Sequence, residues 1–185
     1  MPRCRPACAV LALSCLPAFA AQAAVALSPA ECEVWTRELG FAASVAAHDA
    51  AAFAEHVDPG AVFGAGRERQ ARGREAVVAR WAGIVAGRDA TIVWYPERTT
   101  VGGAPGIAWS EGPSLVIAHP GTDAETFTLG RFHSVWRRGE DGVWRVLYDD
   151  GIDLGPATPA QVEAFRATRR DACPARAADG ALTTP

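Results

Sequence analysis

The sequence lacks the basic excess and the long apolar segments that mark nucleic-acid-binding and membrane-spanning proteins. Lysine and arginine together number 18 against 21 acidic residues, which gives a formal net charge of −3. Nucleic-acid binders usually carry a basic patch, so this balance argues against a nucleic-acid partner. A transmembrane helix needs about 20 consecutive apolar residues. The apolar stretch at residues 7–20 is shorter and is interrupted by Pro17.

Motifs typical of metal and cofactor enzymes are also missing. The sequence contains no Gly-rich phosphate loop, no Ser-His-Asp arrangement and no Cys or His spacing suited to zinc. We therefore predict no metal site and no cofactor. The 185 residues are 49% hydrophobic and 21% charged, an ordinary globular balance that predicts a single domain.

The N-terminal segment predicts export. Arg3 and Arg5 precede the apolar stretch, and two small-residue cleavage patterns end at positions 20 and 23. This arrangement is typical of a secretory signal peptide over residues 1–23. An uncleaved anchor and a lipoprotein signal ending at Cys15 are the alternatives, and the short apolar run disfavours both. We expect a periplasmic or secreted protein that is not inserted in the membrane once the signal is removed.

Cysteine usage agrees with export. After removal of residues 1–23 the chain keeps only Cys32 and Cys173. An even pair in an oxidising compartment most simply forms a disulfide, here joining the first helix to the C-terminal tail. A reactive thiol is the alternative, although neither cysteine has a neighbouring base in the sequence.

Helix signals dominate the first half of the chain. Residues 28–31 (Ser-Pro-Ala-Glu) form a capping box, after which apolar residues recur at helical spacing. Asp49 is expected to cap a short second helix that ends at residues 58–60. A third helix follows, with Gly87 as its C-terminal stop.

The second half of the chain favours strands. Residues 90–101 are rich in β-formers, and residues 107–119 continue as a strand with a bulge or edge at Gly112-Pro113. The hairpin at 130–151 follows. Helices first and an antiparallel meander second predict an α+β fold. We assign residues 28–155 to one domain and residues 156–185 to a C-terminal helix and tail.

The closing hairpin "GRFHSVWRRGEDGVWRVLYDDG" has an aromatic face and a polar face. A three-residue loop at 140–142, with Gly142 left-handed, would set Trp136 opposite Val146. Because side chains alternate between the two faces of a strand, this pair fixes the other cross-strand pairs and the face of each residue. Ser134 is expected opposite Tyr148, Phe132 opposite Asp150, and His133 opposite Asp149, with Phe132, Trp136, Trp144, Val146 and Tyr148 facing the core.

Two adjacent aspartates end this hairpin. In the predicted register Asp150 points into the core beside Tyr148, where apolar surroundings would raise its pKa and suit it to act as an acid or base. The alternative is that Asp150 lies past the strand and caps the turn at Gly151. Asp149 is expected on the polar face with His133, as a solvent-side or interface pair.

Several of these segments together resemble a SnoaL-like protein of the nuclear transport factor 2 (NTF2)-like superfamily. The resemblance rests on residues 48–63, 73–81, 108–112 and the closing hairpin, and it covers roughly Cys32–Gly151. Within the superfamily, the bacterial proteins grouped as domain of unknown function 4440 are the most similar. The resemblance implies a cone: a curved antiparallel sheet of four to six strands wrapped around N-terminal helices, with a pocket at the wide end. It also implies pairing through the sheets, so we expect a homodimer.

The resemblance implies the fold more strongly than an activity. Ketosteroid isomerases of this superfamily combine an aspartate base with a tyrosine and a protonated aspartate. This chain has Trp35 on its first helix, and its two tyrosines, Tyr95 and Tyr148, lie on predicted strands. Isomerase chemistry therefore cannot be transferred to this chain by position.

The expected site is a pocket with aromatic walls. Its predicted ligand-binding residues are Trp35, Trp81, Trp109, Phe132 and Tyr148. We expect an exported protein that holds a small apolar or amphipathic molecule in the cone. The alternative is a lyase or isomerase that uses Asp150 as its general base, and a purely structural or protein-interaction role is a third reading.

Overall fold

The structure is a computed structural model that describes residues 27–64, 66–88, 90–176 and 182–183. The predicted signal peptide lies outside these residues. Within them the elements follow the order α1 (Pro29–Ala46), α2 (Ala50–His56), β1 (Val57–Phe63), β2 (Ala71–Arg72), α3 (Arg74–Val85), β3 (Ala90–Trp94), β4 (Arg98–Val101), β5 (Ile107–Ala118), β6 (Thr126–Arg138), β7 (Trp144–Pro156), α4 (Pro159–Ala167), β8 (Ala175–Arg176) and β9 (Leu182–Thr183). In the described part of the chain, no helix has the length and hydrophobicity needed to cross a bilayer.

One curled sheet carries the fold. Seven strands form it in the order β2-β1-β7-β6-β5-β3, with β4 pairing on β5 as well. Strand β1 runs parallel to β7, whereas the other pairs in this sheet are antiparallel. The predicted α+β cone with helices against a curved sheet is confirmed. The sheet has more strands than the four to six expected, and it is mixed because of the β1–β7 pair.

The helices begin where the capping residues predict. Ser28 Oγ accepts a hydrogen bond from the Glu31 N–H, and the Glu31 carboxylate accepts one from the Ser28 N–H at 2.7 Å. Asp49 caps α2 without a reciprocal bond: its Oδ1 accepts hydrogen bonds from the N–H groups of Ala51 and Ala52. Helix α2 ends at His56, two residues before the stop expected at residues 58–60, and β1 begins directly after it. Asp58 in that strand is buried and forms an ion pair with Arg137.

Residues 90–101 form two strands rather than one. Both pair with β5, and the break between them lies opposite Gly112-Pro113. The backbone of the broken segment approaches β5 so closely that a Cβ on Gly112 would lie 2.1 Å from the Tyr95 carbonyl oxygen. Proline has no N–H to donate to a neighbouring strand at this point. The predicted irregularity is therefore present, as a break in the edge strands that lets the sheet curl.

Apolar side chains pack on both faces of the sheet. The concave face packs against α1, α2 and α3 around Phe41, Phe53 and Trp136. The convex face is covered in part by α4, whose Val162 and Phe165 pack with Tyr95 and Leu115. The Tyr95 hydroxyl donates to the Phe165 carbonyl oxygen at 2.9 Å. The C-terminal helix is thus an integral layer of the fold.

A disulfide joins the two ends of the domain. Cys32 in the first turn of α1 is bonded to Cys173, which follows α4, and their Cα atoms are 5.4 Å apart. This confirms the predicted pairing. The bond holds the segment after α4 against the N-terminal helix.

Candidate functional site

A β-bulge in β7 decides which aspartate faces the interior. The predicted pair Trp136–Val146 is correct. Leu147 is then an extra residue, and Tyr148 pairs with Val135 rather than with Ser134. An inserted residue reverses the faces of all positions beyond it, because side chains alternate along a strand.

The bulge exchanges the expected positions of the two aspartates. Ser134 pairs with Asp149, His133 with Asp150, and Phe132 with Gly151. The predicted pairs Ser134–Tyr148, His133–Asp149 and Phe132–Asp150 are therefore wrong by one residue. Asp149 faces the interior, where its Oδ2 accepts a hydrogen bond from Ser134 Oγ at 2.8 Å.

Asp149 lines a cavity of about 340 Å³ between α3 and the concave face of the sheet. One part of the cavity wall is apolar and includes Phe63, Trp81, Ile84, Ile92, Trp94 and Phe132. The other part is polar and charged: it holds Ser114, the acids Asp149, Asp150 and Asp153, and the arginines Arg67, Arg80 and Arg131. A cavity that combines an apolar wall with placed polar groups is the usual form of a small-molecule site.

The surroundings of Asp149 favour its neutral form. Burial raises the pKa of Asp149 well above its ordinary value, and the negative charges of Glu38 and Asp150 raise it further. The hydrogen bond from Ser134 acts in the opposite direction but does not outweigh burial. Asp149 is therefore a partly buried acid that can donate a hydrogen bond into the cavity.

Asp150 has the opposite character. Burial alone would raise its pKa, but hydrogen bonds from the Gly66 and Gly151 N–H groups and from Arg67 bring the pKa below its ordinary value. The Gly66 N–H lies 2.6 Å from Oδ2, and Arg67 Nε lies 3.3 Å from Oδ1. Asp150 was expected to act as a general base because apolar surroundings would raise its pKa, and that expectation is wrong. Asp150 instead ties residues 66–67 to the end of β7.

A second buried acid lies behind the cavity wall. Glu38 of α1 accepts hydrogen bonds from Trp94 Nε1 at 2.7 Å and from Trp136 Nε1 at 2.9 Å. Burial raises the pKa of Glu38 to about 7, and the two indole donors limit the rise. Since Trp94 also lines the cavity, Glu38 fixes the orientation of one wall residue.

The predicted aromatic walls are only partly brought together. Trp81 and Phe132 line the cavity, as expected. Trp35 is fully buried in the domain but is not a lining residue. Trp109 and Tyr148 lie on the convex face, 40% and 44% exposed, so their expected place in the pocket is wrong.

Trp109 and Tyr148 lie outside the cavity for separate physical reasons. Trp109 alternates with Ala108 and Ser110, which are both buried, so it must point outward. There its ring stacks on His133, with centroids 5.4 Å apart and planes 4° from parallel. Tyr148 is turned outward by the bulge at Leu147.

Sequence reasoning missed Glu38, Ser134 and Trp94 as parts of the site. A signal for Glu38 was present, since it falls on the same helical stripe as Trp35 and Phe41. A charged residue on an apolar stripe indicates a buried, partnered group. Across the described ranges, no group of three or more His, Cys, Asp or Glu residues is arranged to hold a metal ion.

Comparisons with known proteins bear on the fold. No protein-family model matches the chain, and no curated protein sequence matches it. Solved structures do match, among them three of NTF2-like type. A ketosteroid isomerase-like protein from Erwinia carotovora atroseptica is 14% identical, with a TM-score of 0.54, over 69% of this chain and 96% of the other. An NTF2-like protein of unknown function from Pseudomonas putida is 20% identical, with a TM-score of 0.54, over 70% and 96%.

The third is a protein from Novosphingobium aromaticivorans provisionally named as a scytalone dehydratase. It is 10% identical, with a TM-score of 0.57, over 68% of this chain and 84% of the other. Sequence identities this low support a shared fold and do not support a shared reaction. The curved sheet and the three helices in its concave face are thus those of the NTF2-like fold.

Proposed function

We propose that the protein binds a small molecule with a flat apolar body in this cavity, and that protonated Asp149 donates a hydrogen bond to an oxygen of the ligand. The observation that carries the proposal is a partly buried carboxyl group, with a raised pKa, on the wall of a cavity that also holds four aromatic side chains. The volume, about 340 Å³, suits a ligand of one to three rings.

The chemistry of the ligand follows from the chemistry of the walls. Trp81, Trp94 and Phe132 offer ring faces and edges to an aromatic or alicyclic body. Ser134 occupies Oδ2 of Asp149, so we expect the carboxyl proton on Oδ1, toward the ligand. A ketone, aldehyde or ether oxygen is the matching acceptor. A ligand with a carboxylate at this position would be repelled once Asp149 ionised.

Export and pairing belong to the same proposal. A disulfide between the only two cysteines outside residues 1–23 supports residence in the periplasm or outside the cell. The exposed Trp109 and Tyr148, with Val135 between them in the sheet register, support a homodimer formed through the convex face. The finer resemblance to SnoaL-like proteins of the domain 4440 group rests on the closing hairpin and is likewise proposed.

Binding can be tested with aryl ketones such as acetophenone and 2-acetylnaphthalene. Titration followed by saturation-transfer NMR is expected to give saturable binding to the wild-type protein. Ser114→Phe places a ring in the cavity and should abolish it, because Ser114 is a lining residue. Trp109→Ala removes an aromatic residue of the convex face and should leave binding unchanged.

The binding experiment has two adverse outcomes. If no aryl ketone binds, the proposed ligand class is wrong. If Trp109→Ala reduces binding as much as Ser114→Phe does, the ligand lies on the convex face rather than in the cavity.

A second candidate function is a lyase or isomerase in which Asp149 takes the role first predicted for Asp150. Its basis is the raised pKa of Asp149, since a carboxyl group with a raised pKa is a better base when ionised and can also return the proton. Exchange of the α-protons of 2-acetylnaphthalene for deuterium, followed by NMR, tests this. Catalysis predicts faster exchange with wild type than with Asp149→Asn. Equal rates for the two proteins would exclude this reaction type for the tested ketone.

A further inference from the structure

A row of polar side chains crosses the apolar interior behind the cavity. Ser110, Ser134 and Asp149 are register partners on β5, β6 and β7. The two serines are fully buried, and Glu38 of α1 lies at the β5 end of the row, where Ser110 acts to lower the pKa of Glu38. Burying a line of polar groups in a core costs free energy of folding unless the groups form hydrogen bonds with one another.

One member of the row is short of a partner. Ser110 Oγ makes no hydrogen bond of normal geometry to the described residues, although it lies close enough to Glu38 to favour the ionised carboxylate. Ser134 on the next strand donates to Asp149 at 2.8 Å. The row therefore consists of two hydroxyl groups set between two carboxyl groups.

We propose that Glu38, which lies outside the cavity lining, is a positioning residue that keeps a proton on Asp149 at neutral pH. The negative charge of Glu38, held in place by two indole N–H groups, makes a second negative charge at Asp149 unfavourable. Glu38 thus adds to the effect of burial, so that the cavity presents a hydrogen-bond donor rather than an anion. This inference rests on the role proposed for Asp149, but its test requires no ligand.

The other charged groups around the pair do not supply this effect. The groups that shift Glu38 are uncharged: the two indoles and Ser110. On the Asp149 side, the neighbouring Asp150 adds a smaller repulsion than Glu38 does and is itself paired with Arg67. The remaining charged residues that line the cavity are Arg80 on α3, Arg131 on β6 and Asp153 on β7.

The order of ionisation follows from these contacts. Glu38 has two N–H donors that stabilise its charge, whereas Asp149 has one hydroxyl donor. Glu38 therefore ionises first as the pH rises, while Asp149 is still neutral. Replacing Asp149 by a neutral residue should leave Glu38 unaffected, and replacing Glu38 should make Asp149 easier to ionise.

Aspartate labelled with ¹³C at Cγ reports the titration of Asp149 by NMR, and Asp149→Asn assigns its signal. In Glu38→Gln the Asp149 midpoint should fall by about one pH unit or more. Glu33→Gln is the matched control, since Glu33 is also on α1 and accepts a hydrogen bond from an indole, that of Trp144, at 3.0 Å. It should leave the midpoint unchanged. A purely structural role of Glu38 would alter stability without moving the midpoint selectively.

The reciprocal titration uses glutamate labelled at Cδ in Asp149→Asn. The Glu38 midpoint should stay near pH 7. If Glu38→Gln does not fold, Trp136→Phe replaces it: the loss of one donor should raise the Glu38 midpoint and lower that of Asp149. The proposal is overturned if Asp149 titrates alike in the Glu38 and Glu33 variants, or if Asp149→Asn lowers the Glu38 midpoint. Because no ligand is present, a failure here is separate from a failure of the proposed binding function.

Discussion

Two adjacent aspartates on β7 have opposite electrostatic roles because a single extra residue precedes them. Asp149 is turned into the core, where burial favours its protonated form, and Asp150 is turned toward N–H donors that favour its ionised form. Strand alternation predicted that Asp150 would point into the core and Asp149 outward, and the structure shows the reverse. The bulge at Leu147 could not be predicted, because it depends on how β7 fits between β6 and β1.

Replacing each aspartate by asparagine should change stability in opposite directions. The folded pKa of Asp149 lies above its unfolded value, so the unfolded state loses its proton first and wild-type stability falls as the pH rises from about 4. Asp149→Asn avoids this loss and should equal or exceed the wild type in free energy of unfolding at pH 7.5, by a margin that grows with pH. Urea denaturation at several pH values measures it.

Asp150→Asn provides the matched comparison. The folded pKa of Asp150 lies below its unfolded value, so its stabilisation is present above about pH 4 and is lost as the pH falls. The variant should lose about 1–2 kcal/mol at neutral pH, because hydrogen bonds to a charged acceptor are weakened. A loss of stability in Asp149→Asn with none in Asp150→Asn would contradict the observed register.

At the scale of elements, local signals predicted helices better than strands. Capping residues fix helix starts within a few positions of the chain, which is why Ser28 and Asp49 mark α1 and α2 correctly. Strand ends and pairings depend on residues far away in sequence. The division of residues 90–101 into β3 and β4 falls at Pro96, opposite Gly112 on β5, so the proline was a local signal that the sequence reasoning did not use.

The role of Gly112 leads to a prediction about β5. In Gly112→Ala the added methyl group would lie 2.1 Å from the Tyr95 carbonyl oxygen and 3.0 Å from the Glu97 nitrogen, both of which are backbone atoms. Strand separation is then required, and we expect a loss of about 3 kcal/mol in the free energy of unfolding. Gly102→Ala has open space around it and should be nearly neutral. Comparable denaturation curves for both variants would refute the close approach at Gly112.

At the scale of the whole molecule, the fold was recognisable from the sequence and the chemistry of the pocket was not. Fold class follows from the order of helices and strands, which survives small errors in register. Pocket residues depend on which face each side chain takes, so one bulge was enough to misplace Tyr148. Glu38 and the serine row become visible only when α1 is placed against the sheet.

The disulfide should make a large contribution to stability. The chain-entropy model assigns about 5 kcal/mol to a bond that closes a loop of this length, here 141 residues. Protein exported from cells should contain no free thiol under non-reducing conditions, and reduction should lower the melting temperature. Cys32→Ser with Cys173→Ser should behave like the reduced protein. Two titratable thiols per exported chain would exclude the bond.

The proposed homodimer can be tested on the convex face. Light scattering should give twice the chain mass for the wild type, and Tyr148→Glu, which places a charge beside Val135 and Trp109, should shift the mass toward the monomer. Ala79→Glu adds the same charge to an exposed position of α3 and should have no effect. A wild-type protein that stays monomeric at high concentration would rule out this assembly.

The bond between Cys32 and Cys173 also determines how the protein carries mechanical load. A pulling force applied at the two ends of the chain enters at Cys32, crosses the covalent bond and leaves at Cys173, so it bypasses the sheet and the cavity between them. Under tension the oxidised domain can lengthen only through its terminal segments. Once the bond is reduced, the same force acts on the enclosed 141-residue segment, which can extend at up to roughly 3.3–3.6 Å per residue.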